Sequence, residues 1–268
     1  MKYFEYGREN PELLIILHGG GVCYRGAAPT AKRLAEVYHV IIAAYDGFNP
    51  DEPETEFKSV RYEAEKLGDY ISENYGGKID ILYGISFGCF VLMDVLADKR
   101  LSIATTIADG MPTMDYPNIK NKLLCNLFLL FLTGSAYLLI GKAGPLRRKI
   151  VCAMTKRSEE SFECAVYRNA TWKSWINEDK CMIGRRKDFS LFGRTDMYIW
   201  HGADGITEKK LAKHIAQWRE NGYKFTYKLF PNMGHGALVG EHPELFLKEI
   251  EATHEKTLEK RRKGSAAQ

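Results

Sequence analysis

At 268 residues with 45% hydrophobic content, the chain can bury a large core as one domain with an insertion. Its net charge of +4 is unevenly spread: residues 1–110 carry −6, residues 111–190 carry +7 and the remainder +3. The basic residues form short separate clusters without a recognised binding motif, which argues against a nucleic-acid partner. The opening Met1-Lys2-Tyr3-Phe4-Glu5-Tyr6 lacks the apolar stretch of a signal peptide. Cys23, Cys89, Cys125, Cys152, Cys164 and Cys181 show neither a C-x-x-C pair nor metal-ligand spacing. Buried thiols in a reducing cytoplasm, and no metal, are expected.

In chain order, Leu13 to Leu17 is a continuous apolar run that predicts a strand buried on both faces, and it ends in His18-Gly19-Gly20-Gly21. Such a glycine run lets the backbone approach a reacting atom, although a plain tight turn reads the same way. Ala27 to Tyr38 predicts a helix and His39 to Ala44 a second strand, closed by Asp46 in a turn. After an exposed loop, Val60, Ala64, Leu67 and Ile71 recur at helical spacing within Phe57 to Tyr75, and Gly76-Gly77 ends that helix. The strand Ile79 to Tyr83 then runs into Gly84-Ile85-Ser86-Phe87-Gly88, followed by a helix to Ala97. A strand, G-x-S-x-G and a helix form a sharp turn whose serine hydroxyl projects outward, so Ser86 is the candidate nucleophile. Leu101 to Ala108 is another strand, ending at Asp109-Gly110. This repeated alternation predicts a doubly wound, mostly parallel α/β sheet.

From residue 111 to 190 the alternation stops and the chain reads as helical, so it is taken as a cap inserted late in the sheet order, with residues 1–110 and 191–268 as the core. Its apolar run Leu123 to Ile140 is interrupted by Asn126, Thr133, Gly134 and Ser135 and is expected to be a buried cap helix. A pocket wall or a lipid-surface contact is the second choice, and a membrane span the last. A helix is expected from Glu159 to Ile176 with Ser158 as N-cap and with Phe162, Val166, Trp172 and Trp175 as packing residues rather than a ligand cage. The clusters Arg147-Arg148-Lys149 and Arg185-Arg186-Lys187 read as solvated surface. Strands resume at Met197 to Trp200, leading into His201-Gly202-Ala203-Asp204, and at Phe225 to Phe230, leading to Gly234-His235-Gly236. A helix begins near Pro243, and the stretch from Thr257 onward is expected to fray.

The four motifs at residues 18–21, 84–88, 201–204 and 234–236, each at a strand end and in the order Ser, acid, His, resemble the α/β-hydrolase family over nearly the whole chain. Serine needs an adjacent base to take its proton, and His235 has the right chemistry. The resemblance implies Asp204 as the acid that orients His235, with Asp109 as the alternative, because some members carry the acid at that earlier strand end. It places the oxyanion hole at the backbone N–H of Phe87 and of Gly20. It also implies that one or two early edge strands of the fuller fold are missing or reduced, and that Cys89 stands where relatives often carry glycine.

The expectation is a cytoplasmic serine hydrolase that cleaves a small or medium, partly apolar carboxylic ester through an acyl-enzyme on Ser86, without a cofactor. The alternatives are a carbon–carbon bond hydrolase or lyase using the same triad, and a ligand-binding protein with slow turnover. A membrane-surface contact through the cap ranks below a purely small-molecule partner, and the oligomeric state is open.

Overall fold

The computed structural model describes residues 1–111, 119–183, 188–204 and 208–265. One seven-stranded sheet runs in the order β1-β3-β2-β4-β5-β6-β7. The strands are β1 (Lys2–Tyr6), β2 (Leu13–Leu17), β3 (His39–Ala44), β4 (Lys78–Ile85), β5 (Ser102–Asp109), β6 (Asp196–Gly202) and β7 (Thr226–Phe230). All neighbours pair in parallel except β1, which lies antiparallel on β3 with Phe4 opposite Ile42.

Alternating side chains of the central strands feed two cores. Leu13, Ile15 and Leu17 point to the face covered by α2 (Val60–Tyr75), α3 (Gly88–Ala97) and α8 (Glu208–Glu220). Leu14 and Ile16 point to the face covered by α1 (Ala28–Leu34), α9 (Ala237–Glu241) and α10 (Pro243–Ser265). Burial on both faces is why these strands read as unbroken apolar runs. Helix α2 has definite ends: Ser59 Oγ accepts from the Tyr62 N–H at 3.1 Å, and Gly76 closes it in the left-handed conformation at φ +57°.

Between β5 and β6 the described chain is helical: α4 (Lys122–Ala136) continued by a π turn (Tyr137–Gly141), α5 (Pro145–Thr155), α6 (Glu159–Ala165) and α7 (Trp172–Lys180). Ser158 caps α6 by accepting from the Ser161 N–H, but the expected single helix from Glu159 to Ile176 is two. The chain leaves α6 at Val166, which forms an isolated bridge with Val22, and restarts at Thr171, whose hydroxyl caps α7.

Three expectations are corrected. The run Leu123 to Ile140 is not buried: Leu123, Leu127, Leu130 and Phe131 are exposed, and Leu129 and Thr133 alone among the residues of α4 are buried. The early edge of the sheet is reduced to one short strand, β1, carried by aromatic pairing rather than by an apolar run. Tyr3 stacks on Tyr70 at 3.7 Å and Phe4 on Tyr24 at 3.7 Å. Helix α10 continues to Ser265 rather than fraying from Thr257, because Thr253, His254 and Thr257 are buried against the sheet. Of the cysteines, Cys23, Cys89 and Cys152 are buried while Cys164 is exposed. The Arg185-Arg186-Lys187 cluster lies outside the described residues.

Candidate active site

The site forms at the carboxyl ends of the parallel strands. Ser86, directly after β4, has φ +53°, a conformation that costs a non-glycine residue on the order of 1–3 kcal/mol and persists where its surroundings enforce it. The enforcement is visible. The Ser86 N–H donates to the Asp109 carbonyl at 2.8 Å, and Gly88 lies so close to the Leu17 and His18 carbonyls that a Cβ there would collide with them. That approach sets the start of α3 against the end of β2. It thereby brings the His18–Gly21 loop beside Ser86, with the Cα of Gly19 in reach of the Ser86 Cβ.

His18 is a structural part of that loop. Its Nδ1–H donates to the Gly19 carbonyl at 2.9 Å, and its Nε2 accepts from the Tyr45 N–H at 3.3 Å, a pairing that assigns the neutral tautomer. Complete burial pushes its pKa down to about 4. The Gly21 N–H is taken by the Glu178 carboxyl, at 3.1 and 3.3 Å to its two oxygens. The N–H groups of Gly20 and Phe87 make no hydrogen bond among the described residues.

His235 sits between β7 and α9 in a loop pinned to the helical insertion, its N–H donating to the Thr155 carbonyl at 3.1 Å. Its ring packs on the Cα of Gly110 and lies 6.4 Å from the ring of His201. Burial first, then the positive surroundings of His201 and Arg157, push its pKa down to about 4, so the imidazole is neutral at pH 7.

A cavity of about 180 Å³ is lined by Gly20, Ser86, Arg157 and His235, together with apolar side chains that include Ile140, Val151 and Phe162. The structure thus gathers three of the sequence-selected residues, Ser86, His235 and Gly20, around one space, with Phe87 next in the chain. Asp204 is exposed at the end of β6 and makes no hydrogen bond to His235. Its N–H is nonetheless tied to the Met233 carbonyl at 2.9 Å, two residues from His235. Asp109 is buried, and its carboxyl accepts from Tyr83 Oη at 2.6 Å. Burial, only partly offset by that bond and the Gly110 N–H, raises its pKa to about 6.

Two residues at this site escaped the sequence reading. Glu178 had a usable signal, since it lies three residues after Trp175 on the same helical face, and Trp175 is buried against Gly21 and Gly141. Arg157 had none, because its position in the cavity depends on how α5 ends. The guanidinium of Arg157 donates through Nη2 to Ser161 Oγ at 2.6 Å, and its Nε is buried with no partner. It forms no ion pair among the described residues, although the Glu241 carboxylate is near enough to be felt; that carboxylate accepts from Ser158.

The model of the alpha/beta hydrolase family matches residues 14–249, and the chain belongs to that family. Among solved structures it is similar to an alpha/beta hydrolase family protein from Desulfitobacterium hafniense, with a TM-score of 0.70 at 19% identity, covering 94% of this chain and 99% of that one. It is also similar to a thermophilic esterase from Thermogutta terrifontis (TM-score 0.70, 16% identity, 96% and 93% covered). MenH from S. aureus is a third (TM-score 0.67, 16% identity, 96% and 98% covered). At these identities the likeness establishes the fold. No curated protein matches the sequence.

Proposed function

We propose that the protein is a serine hydrolase that cleaves a small carboxylic ester through an acyl-enzyme on Ser86. What carries this reading is the left-handed Ser86 at the end of β4, opening into the same cavity as a half-buried, neutral His235. In the proposed reaction, His235 takes the Ser86 proton as Oγ bonds to the ester carbonyl carbon. The carbonyl oxygen, now negative, is held by the N–H groups of Phe87 and Gly20. The carbon–oxygen bond to the alcohol breaks, and the alcohol leaves with the proton from His235. Water, deprotonated by His235, then releases the acid and restores Ser86. Asp204 is the proposed orienting acid, since its backbone is fastened to the His235 loop while the Asp109 carboxyl is already held by Tyr83.

The cavity, at about 180 Å³, is smaller than the roughly 300–1,000 Å³ typical of sites for drug-sized ligands, which suits a compact acyl or alcohol group. Arg157 adds a requirement. The Arg157 guanidinium, half-buried among apolar walls with its Nε unpartnered and no ion pair among the described residues, favours an anion beside it, so the substrate is proposed to carry an anionic substituent. The same observation favours one second reading, a carbon–carbon bond hydrolase or lyase acting on a carboxylated substrate. The esterase of T. terrifontis, solved with malate bound, is compatible with the ester reading at the level of fold.

Intact mass after treatment with a fluorophosphonate tests the nucleophile. One adduct on the native chain, absent from Ser86→Ala, supports the reading; no adduct on folded protein overturns it. A panel of neutral and carboxylated esters beside carboxylated diketones then separates ester from carbon–carbon chemistry.

A further inference from the structure

Helix α4 with its π turn, Lys122–Gly141, is long and apolar enough to cross a membrane by length and composition, yet only 11% of its apolar window is buried. The residues that pack inward are Leu129, Thr133, Tyr137 and Ile140, with the Tyr137 ring 5.5 Å from Trp172 and 6.2 Å from Trp175. The opposite side is equally apolar and uncovered: Phe131 is 73% exposed and Leu123 67%, with Leu124, Leu127, Leu130, Leu138 and Leu139 exposed as well. A helix that is hydrophobic all round needs apolar surroundings on every side, and here the protein supplies one side. The uncovered surface continues onto α5 through Leu146 (72% exposed), Ile150 and Met154, one turn apart. The two helices are joined where Arg147 Nη1 donates to the Leu138 carbonyl at 3.3 Å.

Charge selects the occupant. Residues 119–157 contain eight basic residues and no acidic one. Lys120, Lys122, Lys142, Arg147, Lys149 and Lys156 are exposed. Leucine and phenylalanine set among exposed lysine and arginine match a lipid interface with anionic headgroups. A second copy of the chain fits less well, because a two-fold interface through this face would bring the same cations together. A spanning helix fits less well too, since one side of α4 is fastened to α7 and the uncovered face extends onto α5.

We propose that the α4–α5 face docks in the plane of an anionic membrane surface. Ile140 and Val151, from the same two segments, line the cavity that holds Ser86, so the docked face is the outer side of the cavity wall. The proposal is independent of the catalytic reading, because binding to lipid requires no turnover.

The test is flotation of the full chain with phosphatidylcholine vesicles, with and without phosphatidylglycerol. The protein is expected to float with the anionic vesicles roughly thirtyfold more tightly than with the neutral ones, the effect of two engaged basic side chains, and to lose that preference as salt rises. The double variant Leu127→Glu/Phe131→Glu, altered at exposed positions, is expected to stay in the soluble fraction while its fluorophosphonate labelling remains within about twofold of the native chain. Ser86→Ala is expected to float like the native chain, which separates this proposal from the catalytic one. Failure of the native chain to bind anionic vesicles overturns the proposal. So does resistance of the bound protein to alkaline carbonate, which would mark a span. A vesicle-indifferent dimer that Phe131→Glu dissociates would make the face a contact between copies and also overturn it.

Discussion

The Glu178 carboxyl, carried by α7 of the helical insertion, accepts the Gly21 N–H at 3.1 Å, one residue beyond the proposed oxyanion donor Gly20. Complete burial, with Asp179 beside it, raises the Glu178 pKa well above the ordinary carboxylate range and so favours the neutral form. Glu178→Gln keeps an acceptor of the same shape for the Gly21 N–H and is expected to leave kcat near the native value. Glu178→Ala leaves the buried Gly21 N–H unpaired, a loss of about 1–3 kcal/mol in stability, and loosens the loop. Its kcat is expected to fall about tenfold or more with KM little changed, since an oxyanion donor acts on the transition state. Equal kcat values in the Gln and Ala variants would show that the insertion does not position the loop.

The pH dependence of turnover should be displaced for a histidine enzyme. As the proposed base, His235 would act in its neutral form, and burial lowers its pKa to about 4 from an ordinary 6.5. The neutral fraction therefore survives as pH falls through 6 and is lost only near 4. The acid limb of kcat/KM, which reports the free enzyme, is expected near 4, with a plateau above about 5. A limb near 6.5 would mean that the imidazole is solvated in solution and the cavity more open than described.

The two candidate acids separate by stability as well as by activity. Asp109, with a pKa raised to about 6 from 3.8, holds its proton more tightly in the folded than in the unfolded chain. Its ionisation therefore destabilises the fold progressively as pH rises from about 4 to 6, reaching on the order of 3 kcal/mol above that window and nothing below it. Asp109→Asn, which can still accept from Tyr83 Oη, is expected to raise the unfolding midpoint at pH 8, to lose that gain near pH 4, and to retain activity. Asp204→Ala is expected to lower kcat by about three to four orders of magnitude, as removal of an orienting acid does. The reverse pattern in kcat would transfer the orienting role to Asp109.

Chain order made the sheet legible, because Leu13–Leu17, His39–Ala44 and Ile79–Tyr83 are short apolar runs whose burial on two faces leaves no ambiguity of period. Ser86 and the His18–Gly21 loop were legible because tight turns at strand ends demand glycine. Three features were not. Strand β1, Lys2-Tyr3-Phe4-Glu5-Tyr6, has neither a continuous apolar run nor a strict alternation, and its stability comes from stacking on Tyr70 and Tyr24 far along the chain. The exposure of α4 could not be read from Leu127 or Phe131, since an apolar residue looks the same whether protein or another medium covers it. The place of Arg157 depends on a tertiary event. Lys156 takes the left-handed conformation at φ +53°, ending α5 so that the next side chain turns into the cavity.

Arg157 offers a specificity test. Its Nη2 is bonded to Ser161 and its Nε is buried without a partner. Arg157→Met keeps much of the aliphatic volume and removes the charge. It is expected to raise KM for carboxylated esters by about tenfold or more, the worth of one charge-assisted hydrogen bond of about 1.5–3 kcal/mol, and to leave KM for neutral esters within about twofold. Equal losses on both classes would reduce Arg157 to a packing residue.

The His235 loop makes a final demand on sequence. The Cα of Gly234 lies so close to the Thr155 carbonyl that an added Cβ would overlap it, and that same carbonyl accepts the His235 N–H at 3.1 Å. The obstacle is contact rather than conformation, because Gly234 is not among the glycines with positive φ. Gly234→Ala must therefore push the end of α5 away from the loop. Overpacking of this kind costs about 1–3 kcal/mol, and the displaced carbonyl also releases His235. Gly193→Ala is the matched control, since nothing lies within 4 Å of an added Cβ there and its φ is unexceptional. Gly234→Ala is expected to lower both the unfolding midpoint and kcat while Gly193→Ala changes neither. A Gly234→Ala variant with native kcat would mean that the insertion and the histidine loop move independently, and that the Thr155–His235 bond does not hold the base in place.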